Sequence, residues 1–229
     1  METARSWAEG RKYDYRVLGD ELFRGIPEVV AQKAASKLPL TDIGRLLWSR
    51  RFLAEGEHDC VIWVDADVLV FDPDNFKIDV SRPELVCREV SVLTKDGGIV
   101  VERSYNPTVL SFRRDSALLP RWISACEGVT QRLPKLPNEA FGRPLLEALA
   151  KTQELKCIES VAHNTLDITS DIIKGQRQNI RRLVQKAKDP FGAANLSGHF
   201  PLEEDVFDQV VERLLADGAQ IMSGKPAPK

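Results

Sequence analysis

Apolar positions recur along this chain with two different periods. The stretch "CVIWV" (60–64) is short, apolar throughout and rich in β-branched and aromatic residues, the pattern of a strand covered on both faces. "YDYRVL" (13–18), "IVVE" (99–102), "TVLSF" (108–112) and "KCIESVA" (156–162) predict further strands. The helical period governs "GIPEVVAQKAASKL" (25–38), "SALLPRWISACEGV" (116–129) and "GRPLLEALAKTQEL" (142–155). It also governs the segment from Thr41 to Gly56, where Ile43, Leu46, Leu47 and Leu53 share a face, Thr41 is a candidate N-cap and Gly56 a stop. Val206, Phe207, Val210, Val211, Leu214 and Leu215 form one stripe of an amphipathic helix over 203–218. "DGG" (96–98) marks a turn, and "SGKPAPK" (223–229) reads as a disordered tail. Strands that alternate with helices predict a single α/β domain over 1–222, with a mainly parallel central sheet flanked by helices.

Composition narrows the function classes. A net charge of −2 supplies no global field for nucleic acid. Cys60, Cys87, Cys126 and Cys157 form no CxxC pair, which argues against zinc and against a disulfide framework and fits a reducing, cytoplasmic compartment. The first residues carry no apolar signal-peptide core, and no apolar run approaches the length of a membrane span.

The apolar run 60–64 ends in Asp65-Ala66-Asp67, followed by "VLVFDP". In open α/β sheets ligands bind beyond the carboxyl ends of strands. Two carboxylates held close together repel each other and cost desolvation energy. A hard divalent cation reverses that sign, and Mg²⁺ commonly uses one or two carboxylates completed by phosphate oxygens. Asp65 and Asp67 are therefore candidate ligands of a metal-bound phosphate. Upstream, Asp42 and Arg45 stand three apart on the predicted helix and share a face near its start. Arginine can bridge phosphate or sugar hydroxyls, and aspartate can accept from a hydroxyl.

Together, "TDIGRLLWSRRFLAEGEHDCVIWVDADVLVFDP" resembles the core of GT-A glycosyltransferases with a DXD motif, in particular the retaining mannosyltransferase and clostridial-toxin type, in which a D-x-x-R pair precedes the DXD strand. The resemblance implies a GT-A-like fold and a metal-dependent transfer of sugar from a nucleotide-diphosphate donor to a glycan, lipid or protein acceptor, with retention. It implies Mn²⁺ or Mg²⁺ at Asp65 and Asp67, and donor contacts from Asp42 and Arg45. Asn106, in "YNPTVLSF", stands where the family has an asparagine facing the donor sugar. A late metal or phosphate ligand is expected from "GAANLSGHF", at His199 or Asn195, with His163 a weaker third. Glu139 and Arg143 precede a helix in a segment similar to the family's acceptor-side loop.

The chain departs from that pattern at its start. The family opens with a strand lining the base pocket, whereas "YDYRVL" is already the first strand-like stretch here, so either the first family strand is missing or the reading frame begins late. Two rival readings follow from the same residues. One is a non-catalytic GT-A-like binding module. The other is a haloacid-dehalogenase-type phosphatase, with Asp65 as nucleophile and Asp67 as general acid/base. Finally, no acid occurs from Ile172 to Lys188, a stretch carrying Lys174, Arg177, Arg181, Arg182, Lys186 and Lys188. Such a basic helix could be a solvated face, or could attract an anionic lipid surface or an acidic acceptor.

Overall fold

The computed structural model describes residues 2–197 and 203–225. Within them the chain forms a mixed seven-stranded sheet with helices on both faces. The expectation of a mainly parallel sheet is corrected by one missed element. Residues 84–95, "ELVCREVSVLTK", form strand β3 (Glu84–Lys95), and β4 (Gly98–Arg113) returns antiparallel beside it. The connection is the two-residue turn Asp96-Gly97, both at positive φ (51° and 76°), the backbone that an Asp-Gly hairpin turn requires. "IVVE" and "TVLSF" are thus two halves of one long strand.

The joint between those halves is irregular. Val86 pairs with Leu110 but Cys87 pairs with Asn106, so residues 107–109 have no partner on β3. Pro107 cannot donate to a ladder, and a bulge is where a sheet tolerates it. β1 (Cys60–Val64) pairs antiparallel with the end of β4, while β5 (Cys157–Ile158) and β6 (Val161–His163) run parallel to β3. The predicted strand over 156–162 is therefore real but interrupted at Glu159-Ser160. β7 (Ala193–Asn195) runs parallel to β6, and β2 (Val68–Val70) pairs antiparallel with β7.

The order is β1-β4-β3-β6-β7-β2, so the two ends of the sheet are consecutive strands joined only by Asp65, Ala66 and Asp67. That turn is tied to both neighbours. Asp65 donates its N–H to the Thr108 carbonyl (2.9 Å), and the Asp67 carbonyl accepts from Leu196 N–H (2.9 Å).

On β3, Val86, Val90 and Val92 share one face and Leu85 and Cys87 the other. The first face is covered by α3 (Lys37–Glu55), α4 (Leu118–Arg132) and α5 (Arg143–Ala150) at one end, and by α6 (Leu166–Lys174), α7 (Gln178–Lys186) and α8 (Glu204–Ile221) at the other. The opposite face packs on Trp7 and Ala8 of α1 (Glu2–Gly10) and on Phe76 and Ile78. Thr3 Oγ1 accepts the Val70 N–H, so α1 also covers the free edge of β2.

"YDYRVL" forms no strand; Tyr13 and Tyr15 pack on the core individually. The predicted helix over 25–38 shrinks to α2 (Glu28–Lys33), because the chain turns at 34–36 and restarts as α3. Ser36, not Thr41, caps α3 by accepting Leu38 N–H, and Gly56 ends it in the left-handed conformation (φ 84°). Among the described residues no helix is long and apolar enough to cross a membrane. Residues 226–229 of the predicted tail lie outside the described part.

Candidate functional site

Asp42 and Arg45 lie one turn deeper in α3 than predicted, and both are buried, at 8% and 5% exposure. They are not a surface ion pair. Arg45 Nη2 meets Asp42 Oδ1 at 3.1 Å, and Nη1 meets Asp65 Oδ2 at 3.3 Å. The same Nη1 donates to the Pro107 carbonyl at 2.6 Å, and Nε donates to the Thr41 carbonyl at 3.4 Å. The guanidinium therefore joins three segments: its own helix, the DXD turn and the β4 bulge. The bulge explains this geometry, because lifting 107–109 off β3 frees the Pro107 and Thr108 carbonyls to bind Arg45 and Asp65. Arg45 also lies 5.7 Å from the Trp63 ring centroid, and Trp63 Nε1 donates to Asp65 Oδ1 at 2.5 Å. Both oxygens of Asp65 thus accept a hydrogen bond from protein.

Two further predicted residues, Asn106 and Asn195, meet at a carboxylate absent from the expected site. Glu89, on β3, is 1% exposed. Its Oε2 accepts from Asn106 Nδ2 and its Oε1 from Asn195 Nδ2, each at 2.8 Å. Thr108 Oγ1 links the two amides, donating to Asn106 Oδ1 (2.9 Å) and accepting from Asn195 Nδ2 (3.0 Å). Asn195 Oδ1 accepts Ser197 N–H at 2.9 Å, so this amide is a strut between β7 and β3 rather than an open oxygen. His163 continues the network, with Nδ1 2.7 Å from Ser91 Oγ and Nε2 2.6 Å from Ser197 Oγ. A signal for Glu89 did exist in the sequence. It stands in phase with Leu85 and Cys87, an acid among the inward positions of an alternating run.

Electrostatics mark this region. Burial pushes the Asp65 carboxyl up to about 6, against the lowering effect of Arg45 and Trp63, and Asp67 and Asp42 push it further up. Burial raises Asp42 as well, opposed by Arg45 and reinforced by Glu139. Glu89 is raised to about 7 by burial, against its hydrogen bonds from Asn195 and Asn106, and the nearby Asp65 adds to the rise. Gly142 closes over Asp42: a Cβ there would lie 3.0 Å from Asp42 Oδ2, so any larger residue would press on that carboxylate.

Asp65 thus has three acids near it, Asp42, Asp67 and Glu89, and one arginine that pairs with it and with Asp42, an excess of negative charge that a bound cation would relieve. Among the described residues no three His, Cys, Asp or Glu side chains converge to hold a metal ion. A Mg²⁺ or Mn²⁺ ion shared with a diphosphate needs only one or two carboxylates, so Asp67, with Asp65 behind it, fits that donor set. His199 lies outside the described residues. Glu139 is exposed, and Arg143 at the start of α5 pairs with Glu102 and Glu147. Comparison with protein-family models, with curated proteins and with solved structures finds no match.

Proposed function

We propose that this chain is a metal-dependent glycosyltransferase of the GT-A kind, moving a sugar with retention from a nucleotide-diphosphate donor to a glycan, lipid or protein acceptor. One observation carries the reading: Arg45 ties Asp42 to Asp65 across 23 residues of sequence, at the single turn that joins both ends of the sheet. A structural ion pair between helix and strand would need one acid. Here one buried cation holds two, and Asp67 stands beside them, so the cluster remains acidic where a cation and a diphosphate would dock.

In this reading Asp67 holds the Mg²⁺ or Mn²⁺ ion directly and Asp65 supports it directly or through water. When bound, the ion supplies Lewis-acid neutralisation of the departing nucleoside diphosphate. Arg45 is too buried to clamp a phosphate, so it acts by fixing Asp65 and the Pro107 carbonyl. Asp42, buried to the same degree, shares that role by holding Arg45, and Asn106, oriented by Glu89 and Thr108, lines the donor side.

One fact weighs against the phosphatase alternative: β1, the strand that leads into Asp65, lies at the end of the sheet and pairs antiparallel.

A hydrolysis screen of nucleotide sugars with Mn²⁺, with and without EDTA, tests the proposal. Donor cleavage that EDTA abolishes supports it. Tight donor binding without cleavage of any donor selects the binding module instead, and neither binding nor cleavage refutes both.

A further inference from the structure

We propose that α7 and the tip of the β3–β4 hairpin form a docking surface for an anionic lipid bilayer. This inference is independent of the transferase reading.

Helix α7 buries Ile180 and Leu183 against the sheet and turns Arg181, Gln185 and Lys186 to solvent, with Arg177 and Arg182 half-buried beside them. Among the described residues, Lys174, Arg177, Arg181, Arg182 and Lys186 stand in no ion pair, whereas Lys188 reaches Glu159 at 3.3 Å. The contacts that the arginines make are to neutral oxygens: Arg177 to the Gln176 carbonyl, Arg181 to the Gly224 carbonyl and Arg182 to Asn179 Oδ1. Five cations on one short segment thus form no ion pair, although Glu212 and Asp217 share a third hollow with Arg177.

Beside this helix lies the hairpin tip, where Ile99 and Val100 are 44% and 39% exposed. The two features adjoin. A hollow of about 520 Å³ is lined by Ile99 and Val101 from the hairpin and by Arg182, Gln185 and Lys186 from α7. A second hollow of about 730 Å³, with Arg177, Arg181 and Arg182 in its wall, continues along the helix.

Exposed aliphatic side chains flanked by unpaired cations fit a membrane interface. The aliphatics enter the acyl boundary while the cations meet lipid phosphates. A nucleic acid would use the cations but leave Ile99 and Val100 without a role, and no aromatic side chain lines either hollow to stack a base. Two acids lie at the hairpin end, Asp96 in the turn and Asp167 bonded to Thr94, and the five cations of residues 174–186 outnumber them.

Vesicle co-sedimentation of the full chain tests the surface. The expected result is binding to vesicles containing phosphatidylserine, none to phosphatidylcholine alone, and loss at high salt. Arg181→Gln with Arg182→Gln should weaken binding about tenfold or more, because each cation contributes on the order of a decimal factor near such a surface. Ile99→Ser with Val100→Ser should weaken it several-fold and leave the salt dependence. Thermal melts confirm that both variants fold. Absence of binding to phosphatidylserine vesicles overturns the proposal. So does vesicle binding that the Ile99/Val100 variant leaves unchanged and that heparin displaces, which would assign the cations to a soluble polyanion.

Discussion

Two regions of this protein carry unbalanced charge, and they differ in what the imbalance costs. Around Asp65, the acids Asp42, Asp67 and Glu89 gather in a partly buried region that Arg45 bridges at Asp42 and Asp65. Along residues 174–186, from the end of α6 through α7, five cations without ion-pair partners are exposed or half-buried at the surface. In the interior, burial itself penalises the charged form and is the main cause that pushes the carboxyls up, to about 6 at Asp65 and about 7 at Glu89, with the neighbouring acids adding to the rise. On the surface the same kind of excess is screened within about 10 Å at ordinary salt. The buried imbalance is therefore a demand that a bound cation can meet, and the surface imbalance is an inexpensive means of attraction.

The largest effect should come from removing the one cation that the acidic region has. Arg45→Leu leaves Asp42 and Asp65 without their cation, with only the Trp63 hydrogen bond remaining to Asp65, a change that typically costs about 3–5 kcal/mol. For a chain of this length the melting temperature should fall by roughly 10 °C at pH 8. The loss should shrink towards pH 5, because without Arg45 both acids take up protons more readily. Arg45→Lys sharpens the test: it keeps a charge but not the fork that spans Asp42, Asp65 and Pro107, so stability should be partly restored. A melting temperature unchanged in both variants at pH 8 would reduce the cluster to an ordinary surface.

Next in size is the cation itself. Asp67→Asn should weaken Mn²⁺-dependent UDP binding by about a hundredfold, since even outer-shell partners of a metal commonly contribute 10–100-fold. The fold should not suffer, because the substitution removes one repelling charge beside Asp65. Calorimetric titration of UDP with Mn²⁺ into both proteins measures this, and equal affinities would sink the metal assignment. A melting temperature that rises while nothing else changes would mean that the two aspartates only repel each other.

How much of this was legible in the sequence depends on range. Asp42, Arg45, Asp65 and Asp67 stood out because their signals are local: an i,i+3 pair on a periodic helix, and acids interrupting an apolar run. That the two pairs meet was supplied by resemblance, since no spacing rule places α3 against the β1–β2 turn. β3 escaped because alternation over 84–95 is diluted by Arg88 and Glu89, and its Asp-Gly turn was read only as a break. With β3 missing, the antiparallel half of the sheet was invisible and a parallel sheet followed by default. Pro107 seemed to separate two strands, whereas a bulge absorbs it and turns the irregularity into the shelf that holds Arg45. "YDYRVL" misled for the opposite reason: its alternation reflects two tyrosines packed singly on the core, with no neighbouring strand to pair with.

Glu89 sharpens the interior half of the comparison. Its folded-state value lies above its ordinary one, so the native protein binds the extra proton. The stability it confers is full below about pH 4.5 and is lost as pH rises through about 7. Glu89→Gln removes that titration. Relative to wild type the variant should gain roughly 2 kcal/mol between pH 5 and pH 8, and it should be the weaker protein at pH 5. Some pH dependence should persist in the variant, because Asp65 still titrates near 6. Thermal melts across that range give the difference directly. Parallel curves for the two proteins would show that Glu89 does not change its protonation there.

The smallest effect belongs to the surface half. Arg177 and Arg181 are four apart at the start of α7, and like charges at that spacing destabilise a helix by about 0.2–0.5 kcal/mol. Both also sit near the positive end of the helix dipole, where cations are disfavoured. Arg181→Gln gives up only the 3.3 Å contact to the exposed Gly224 carbonyl. It should therefore raise the melting temperature by about 1 °C at low salt, and Arg181→Glu should raise it slightly more. In concentrated salt the three proteins should converge, because the repulsion is screened. A drop of several degrees for Arg181→Gln at low salt would mean that this arginine has a structural partner, and the contrast between a costly buried excess and an inexpensive exposed one would fail at its exposed end.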